Sequence, residues 1–100
     1  MTTSVKEADG KFHVTLSGEL DTSTAHEAEV ALQPLLDSQG KDIVIDCTDL
    51  EYIASSGLRI LLGILKQARA VGSRVVLKNV NEVVRDVLDL TGFISIFEFE

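Results

Sequence analysis

An α/β fold, with helices packed against a single mixed β-sheet, is the architecture this sequence predicts, and three observations predict it. Apolar residues switch repeatedly between strand-like alternation and helical spacing, in the order ββαβαβαβ. Ile43-Val44-Ile45 with Cys47 is a β-branched run without strict alternation, which suits a central strand covered on both faces. Aromatic residues are few, four Phe and one Tyr, so the 45% hydrophobic content must pack as layers of Val, Ile, Leu and Ala. A chain of 100 residues suffices for one compact core, and residues 1–100 read as one domain.

Each element has its own signal. Val5 to Ala8 and Lys11 to Ser17 flank Asp9-Gly10, a dipeptide that tolerates positive φ and suits a two-residue hairpin turn. Phe12, Val14 and Leu16 alternate with His13, Thr15 and Ser17, which places His13 on the surface. Thr24 with Glu27 has the spacing of a capping box, and Ala25, Ala28, Leu32, Leu35 and Leu36 share one face of a helix over about 24–37. Pro34 falls on the polar side of that helix, where its missing N–H and the resulting bend can face water. The second helix is expected over 56–71, with Leu58, Leu61, Leu62, Leu65 and Ala68 as its core stripe and Ile60, Ile64 and Val71 on one flank. Arg74 to Leu77 reads as a strand, and Asn81 as the N-cap of a third helix that Gly92 closes. The tail from Ile94 supplies an alternating edge strand at Phe97 to Glu100. Strand–helix–strand units of this length make the later strands largely parallel, with the N-terminal hairpin adding an antiparallel edge.

Charge and cysteine content narrow the function. A formal charge of −7 opposes nucleic acid and anionic lipid, so a protein partner is expected. The single Cys47 has no disulfide partner and no metal-ligand spacing, and reads as a small apolar core residue in a reducing compartment. Neither a signal-peptide core nor a membrane-length apolar stretch is present, which points to the cytoplasm. Ile53-Ala54-Ser55-Ser56-Gly57 lacks the glycine spacing of a nucleophile elbow, no Gly-rich lysine loop is available for phosphates, and His26 reads as a solvated side chain. No cofactor is expected and the chain does not read as an enzyme.

Ser55 and Ser56 stand where a strand hands over to a helix, beside N–H groups with no intrahelical partner. They either cap the helix or offer a hydroxyl where an added phosphate is well tolerated. Three segments, taken in order, resemble STAS domains of the bacterial anti-sigma factor antagonist type: Gly18-Glu19-Leu20-Asp21 with Thr24-Ala25, Ser55-Ser56-Gly57-Leu58, and Leu88 through Leu90-Thr91-Gly92-Phe93. The resemblance implies that Ser55, rather than Ser56, is a phosphorylation site. It also implies an anti-sigma factor with serine kinase activity as partner, and a serine phosphatase that resets the cycle. Asp21 would support recognition by the kinase, with Thr24, Ser55, Ser56, Gly57 and Ile60 on the partner-binding surface. Asp21 also reads as a turn or helix-capping residue, and Ile60 as a side chain packed on a neighbouring helix. The family commonly has Asp before the phosphorylated serine, where this chain has Ala54. Two other readings stand beside the switch: a STAS scaffold that binds partners constitutively, and a small-ligand or nucleotide-binding STAS domain that uses the helix start as an anion site.

Overall fold

Asp9 and Gly10, with φ of 56° and 74°, reverse the chain between β1 (Thr2–Ala8) and β2 (Lys11–Leu20) in the computed structural model, which describes residues 1–100. Both angles are positive, as a tight hairpin matching strand twist requires. Next come α1 (Ala25–Leu32), β3 (Asp42–Ile53), α2 (Ser55–Ala70), β4 (Val75–Lys78), α3 (Glu82–Leu90) and β5 (Glu98–Phe99). The five strands form one sheet in the order β1-β2-β3-β4-β5. Only β1 and β2 pair antiparallel, and β2 through β5 are parallel. This is the mixed sheet and element order expected from the sequence.

Core formation follows side-chain parity. Phe12 and Val14 pair along the sheet with Ile43 and Ile45, Leu16 joins them in the core, and β4 adds Val75 and Leu77 to the same layer. Ala28 and Leu32 of α1, Leu58, Leu61, Ile64, Leu65 and Ala68 of α2, and Val84 and Leu88 of α3 join those strand residues in one buried cluster. All three helices therefore cover the same face. On the other face, His13, Thr15 and Thr48 are exposed, and Val44 and Asp46 half-buried. This corrects the expectation of a central strand buried on both sides: β3 alternates after all, with Asp46 and Thr48 filling its outer positions.

Other boundaries also differ. The α-helical part of the first helix stops at Leu32, and a 3-10 helix over Gln33–Asp37 with Pro34 in its first turn replaces the expected bend. That tighter winding keeps Leu35 buried but turns Leu36 out to 47% exposure. β2 runs on to Leu20 past two register shifts, between Thr15 and Ser17 and between Gly18 and Glu19, at each of which β3 carries the extra residue, and Gly18 takes φ of 102°. α2 begins at Ser55 and ends at Ala70, and its buried stripe takes Ile64 in place of Leu62, while Val71 is exposed. Beyond Gly92 (φ 79°), a 3-10 turn over Phe93–Ser95 intervenes, and the expected edge strand shrinks to two residues, Glu98 and Phe99.

Two polar arrangements secure the connections. Asn81 accepts from Val84 N–H at 2.8 Å, capping α3 as expected, and donates through Nδ2 to Leu50 C=O at 2.8 Å, which ties that cap to β3. Ser38 and Ser73, both buried, share a hydroxyl–hydroxyl hydrogen bond of 2.7 Å between the segments that precede β3 and β4.

Candidate functional site

Parallel pairing of β2 with β3 brings the segments that follow them to one end of the sheet. Leu20 is paired with Ile53, and Ala54 N–H donates to Leu20 C=O at 2.8 Å. Asp21 and Ser55, separated by 33 intervening residues in sequence, thus sit one residue beyond that junction on either side.

Ala54 is the N-cap of α2, in extended conformation (φ −99°, ψ 175°), and supplies no side-chain acceptor to the first turn. Neither serine is the cap, contrary to the capping alternative, since both lie inside the first turn. The two differ in access. Ser55 is exposed, whereas Ser56 is half-buried with an Oγ that is fully enclosed and without a hydrogen-bond partner. Of the two hydroxyls, that of Ser55 is the accessible one. Gly57 is buried, and a Cβ there would come within 2.6 Å of Leu20 Cγ and 2.9 Å of Ile53 Cγ1. Its contribution is close approach: lacking a side chain, it lets the start of α2 rest on the β2–β3 junction.

On the facing turn, Asp21 Oδ1 accepts from Ser23 Oγ at 2.7 Å, Ser23 N–H at 2.9 Å and Thr24 N–H at 3.2 Å. The Ser23 hydroxyl, with the Ser23 and Thr24 N–H groups, holds the Asp21 carboxyl below its usual range despite slight desolvation. Oδ2 makes no intramolecular hydrogen bond. Thr24 is the N-cap of α1, but its hydroxyl makes no cap bond to the helix; it donates to Glu19 C=O at 2.8 Å and accepts from Asp21 N–H at 3.0 Å. The expected capping box is therefore absent. Thr24 instead shapes the turn that carries Asp21.

Two depressions lie along α2, and Ser55 lines one of them. One, of about 250 Å³, is lined by Ser55, Leu58, Arg59 and Leu62 of α2 and by Thr91 and Phe93 beyond α3. The other, of about 200 Å³, lies between α1 and α2, with Glu29, Leu36, Arg59, Ile60 and Gly63 among its walls. Ile60 is half-buried there, packed against the core as well as forming part of the groove wall. Neither Arg59 nor the wall formed by Thr91 and Phe93 was among the site residues expected from the sequence. The four-residue spacing of Ser55 and Arg59 was the available signal for the first; the second depends on tertiary packing of α3.

Elsewhere, Asp46 Oδ1 accepts from Thr48 Oγ1 at 2.6 Å, Thr48 N–H at 3.0 Å and Asn79 Nδ2 at 3.3 Å, which lowers its pKa. Burial, with the charge of Asp46, pushes the Cys47 thiol up to about 12. No three His, Cys, Asp or Glu side chains converge where they could hold a metal ion, and no helix is long and apolar enough to cross a membrane.

Comparison with known proteins agrees with this geometry. BtrV of Bordetella bronchiseptica is 34% identical over 97 residues, covering 97% of this chain and 84% of that protein. An anti-sigma-B factor antagonist of Bacillus subtilis is 31% identical over 94 residues, covering 94% and 85%. The crystal structure of an anti-sigma factor antagonist from Mycobacterium paratuberculosis superposes with a TM-score of 0.82 at 31% identity, covering 98% of this chain and 83% of that one. A family model described as the STAS domain matches residues 2–100. With the mixed five-stranded sheet and the Ser55 helix start in place, the chain belongs to the STAS domain family.

Proposed function

We propose that this chain is an anti-sigma factor antagonist, switched by phosphorylation of Ser55. Unmodified, it binds an anti-sigma factor that is also a serine kinase, through the sheet end carrying Asp21, Thr24, Ser55 and Ser56, with Ile60 beside it and Gly57 underneath. The observation that carries the reading is the exposed Ser55 hydroxyl in the first turn of α2, held beside the Asp21 turn by the Ala54–Leu20 bond. Relatives named as anti-sigma factor antagonists support the same reading.

In the kinase step the γ-phosphoryl of ATP passes to Ser55 Oγ, ADP leaves and the hydroxyl proton is released. A serine phosphatase later hydrolyses the ester to serine and inorganic phosphate. The chain is substrate and binding partner in this cycle, acting in the cytoplasm, and has no catalytic part of its own. A phosphoserine adds about −1.5 to −2 charge and three acceptor oxygens. At the start of α2 the helix dipole favours that anion by about 0.3–1 kcal/mol. A partner surface packed on the same spot must desolvate it, at a cost of several kcal/mol. Binding is therefore lost while the fold is kept.

The test is incubation with the candidate anti-sigma kinase and Mg-ATP, followed by intact-mass measurement and peptide mapping. One added phosphate on the Ser55 peptide, with loss of the complex, is expected. Absence of phosphate with the complex intact would instead favour a constitutive STAS scaffold, the reading to which Ala54 at the usual Asp position points.

A further inference from the structure

Ser55 and Arg59 are four residues apart on α2, the spacing at which side chains on a helix surface meet. Both are exposed, and both line the cleft whose opposite wall is Thr91 and Phe93. Arg59 also lines the adjoining groove beside Ile60, and it is the one Lys or Arg lining either depression. Its guanidinium is uncommitted: the ion pairs of the molecule engage Lys41, Arg74 and Lys78, and Arg59 makes no side-chain hydrogen bond. Standing on the ridge between two depressions, it can turn to either.

Resting on the reading of Ser55 as phospho-acceptor, we propose that Arg59 is the intramolecular receptor of the phosphate, drawn into the Ser55 cleft when that residue is modified. Three features favour the pairing. An anion four residues N-terminal to a cation is the better order on a helix, because each then also complements the dipole. The planar fork of arginine matches two phosphate oxygens at once, which an ammonium does not. Ala54 places no carboxylate beside the phosphate to compete for Arg59 or repel the new charge.

The pairing gives one modification two effects on the partner-binding face. Negative charge appears at Ser55, and the groove beside Ile60 loses its cation. Glu29 remains on that groove as its charged group. A partner that docks across both depressions then meets a changed electrostatic pattern at two points.

The test uses the full chain with phosphoserine inserted at position 55 during translation, so it needs no kinase. Phosphorus NMR then follows the second ionisation of the phosphate, which for an unperturbed phosphoserine lies at about pH 6. The helix dipole acts equally on every variant, so their differences isolate residue 59. The titration midpoint of the native chain is expected to lie below that of Arg59→Gln by about 0.3 pH units or more. Arg59→Lys should recover part of the difference, and added salt should shrink it. Coincident midpoints for the native and Arg59→Gln chains overturn the proposal. A native shift abolished by Arg59→Gln, in a phosphoprotein that still binds its partner, upholds Arg59 as receptor and removes Ser55 as the switch.

Discussion

Replacing Gly57 with alanine adds one methyl where the structure has no room for it. The new Cβ lies 2.6 Å from Leu20 Cγ, 2.9 Å from Leu20 Cδ2 and 2.9 Å from Ile53 Cγ1. Ordinary carbon–carbon contacts are about 3.5–4.0 Å, so the atoms must part by roughly 1 Å. Leu20 and Ile53 are both 0% exposed, and the closest contact is the branch point of Leu20, not a flexible tip. Overpacking of this kind costs about 1–3 kcal/mol. Alanine regains about 1 kcal/mol of helix propensity over glycine, so an overpacking cost at the middle of that range leaves a net loss of about 1 kcal/mol. Far-UV circular dichroism on heating should show a Tm lower by about 4–8 °C. Gly63→Ala is the matched control, because a Cβ there meets nothing within 4 Å, and it should stabilise by about 0.5–1 kcal/mol. A Gly57→Ala protein as stable as the native chain, with Gly63→Ala gaining as stated, would show that the start of α2 is not pinned on the sheet, and the argument for a fixed Ser55 would go with it.

Ser55→Asp should weaken partner binding at least tenfold in titration calorimetry, with stability changed by less than about 0.5 kcal/mol because the residue is exposed at a helix start; a collapse of the fold would make the serine structural. Ser38→Ala and Ser73→Ala should each cost about 1–3 kcal/mol, since either strands a buried hydroxyl, and the double variant should cost clearly less than their sum in urea denaturation. Additive losses would mean the two hydroxyls are not coupled. Burial raises the folded-state pKa of Cys47 to about 12 from 9.0, so between those values the unfolded chain releases a proton that the folded chain keeps. Stability should be unaffected by this group below pH 9 and should fall as pH rises through that window; the extra slope should vanish in Cys47→Ala, and an unchanged slope would contradict the buried thiol.

Local chemistry made much of the fold legible. The Asp9-Gly10 hairpin, the Asn81 cap and the glycine stop at Gly92 each follow from a residue whose backbone preference acts without distant help. Boundaries that depend on packing were not legible. Pro34 announces a disturbance in the first helix, yet whether the chain bends or tightens into a 3-10 turn depends on burying Leu35. Phe97 to Glu100 has strand alternation, but only Glu98 and Phe99 find ladder partners on β4. The choice of Ile64 over Leu62 for the core depends on how α2 is rotated over the sheet, and two leucine-rich faces of a helix look alike in sequence. Of the candidate site, Ser55 was visible as a hydroxyl at a strand-to-helix handover. The unequal exposure of Ser55 and Ser56, the occupied hydroxyl of Thr24 and the proximity of Thr91 and Phe93 emerge only once β2, β3 and the helices are assembled.

The hydrogen bond from Ala54 N–H to Leu20 C=O bears on timing. A serine carried on a mobile loop would have to be ordered by each enzyme that acts on it, and that ordering would slow every turn of the cycle. Ser55 follows directly on the residue fastened to the end of a parallel strand pair. Under the proposed switch, its speed would be set by how fast phosphate is added and removed, and the off state would persist as long as the ester does. If the proposed cycle holds, the protein would act as a chemical memory whose lifetime is set by the kinase and phosphatase that act on it.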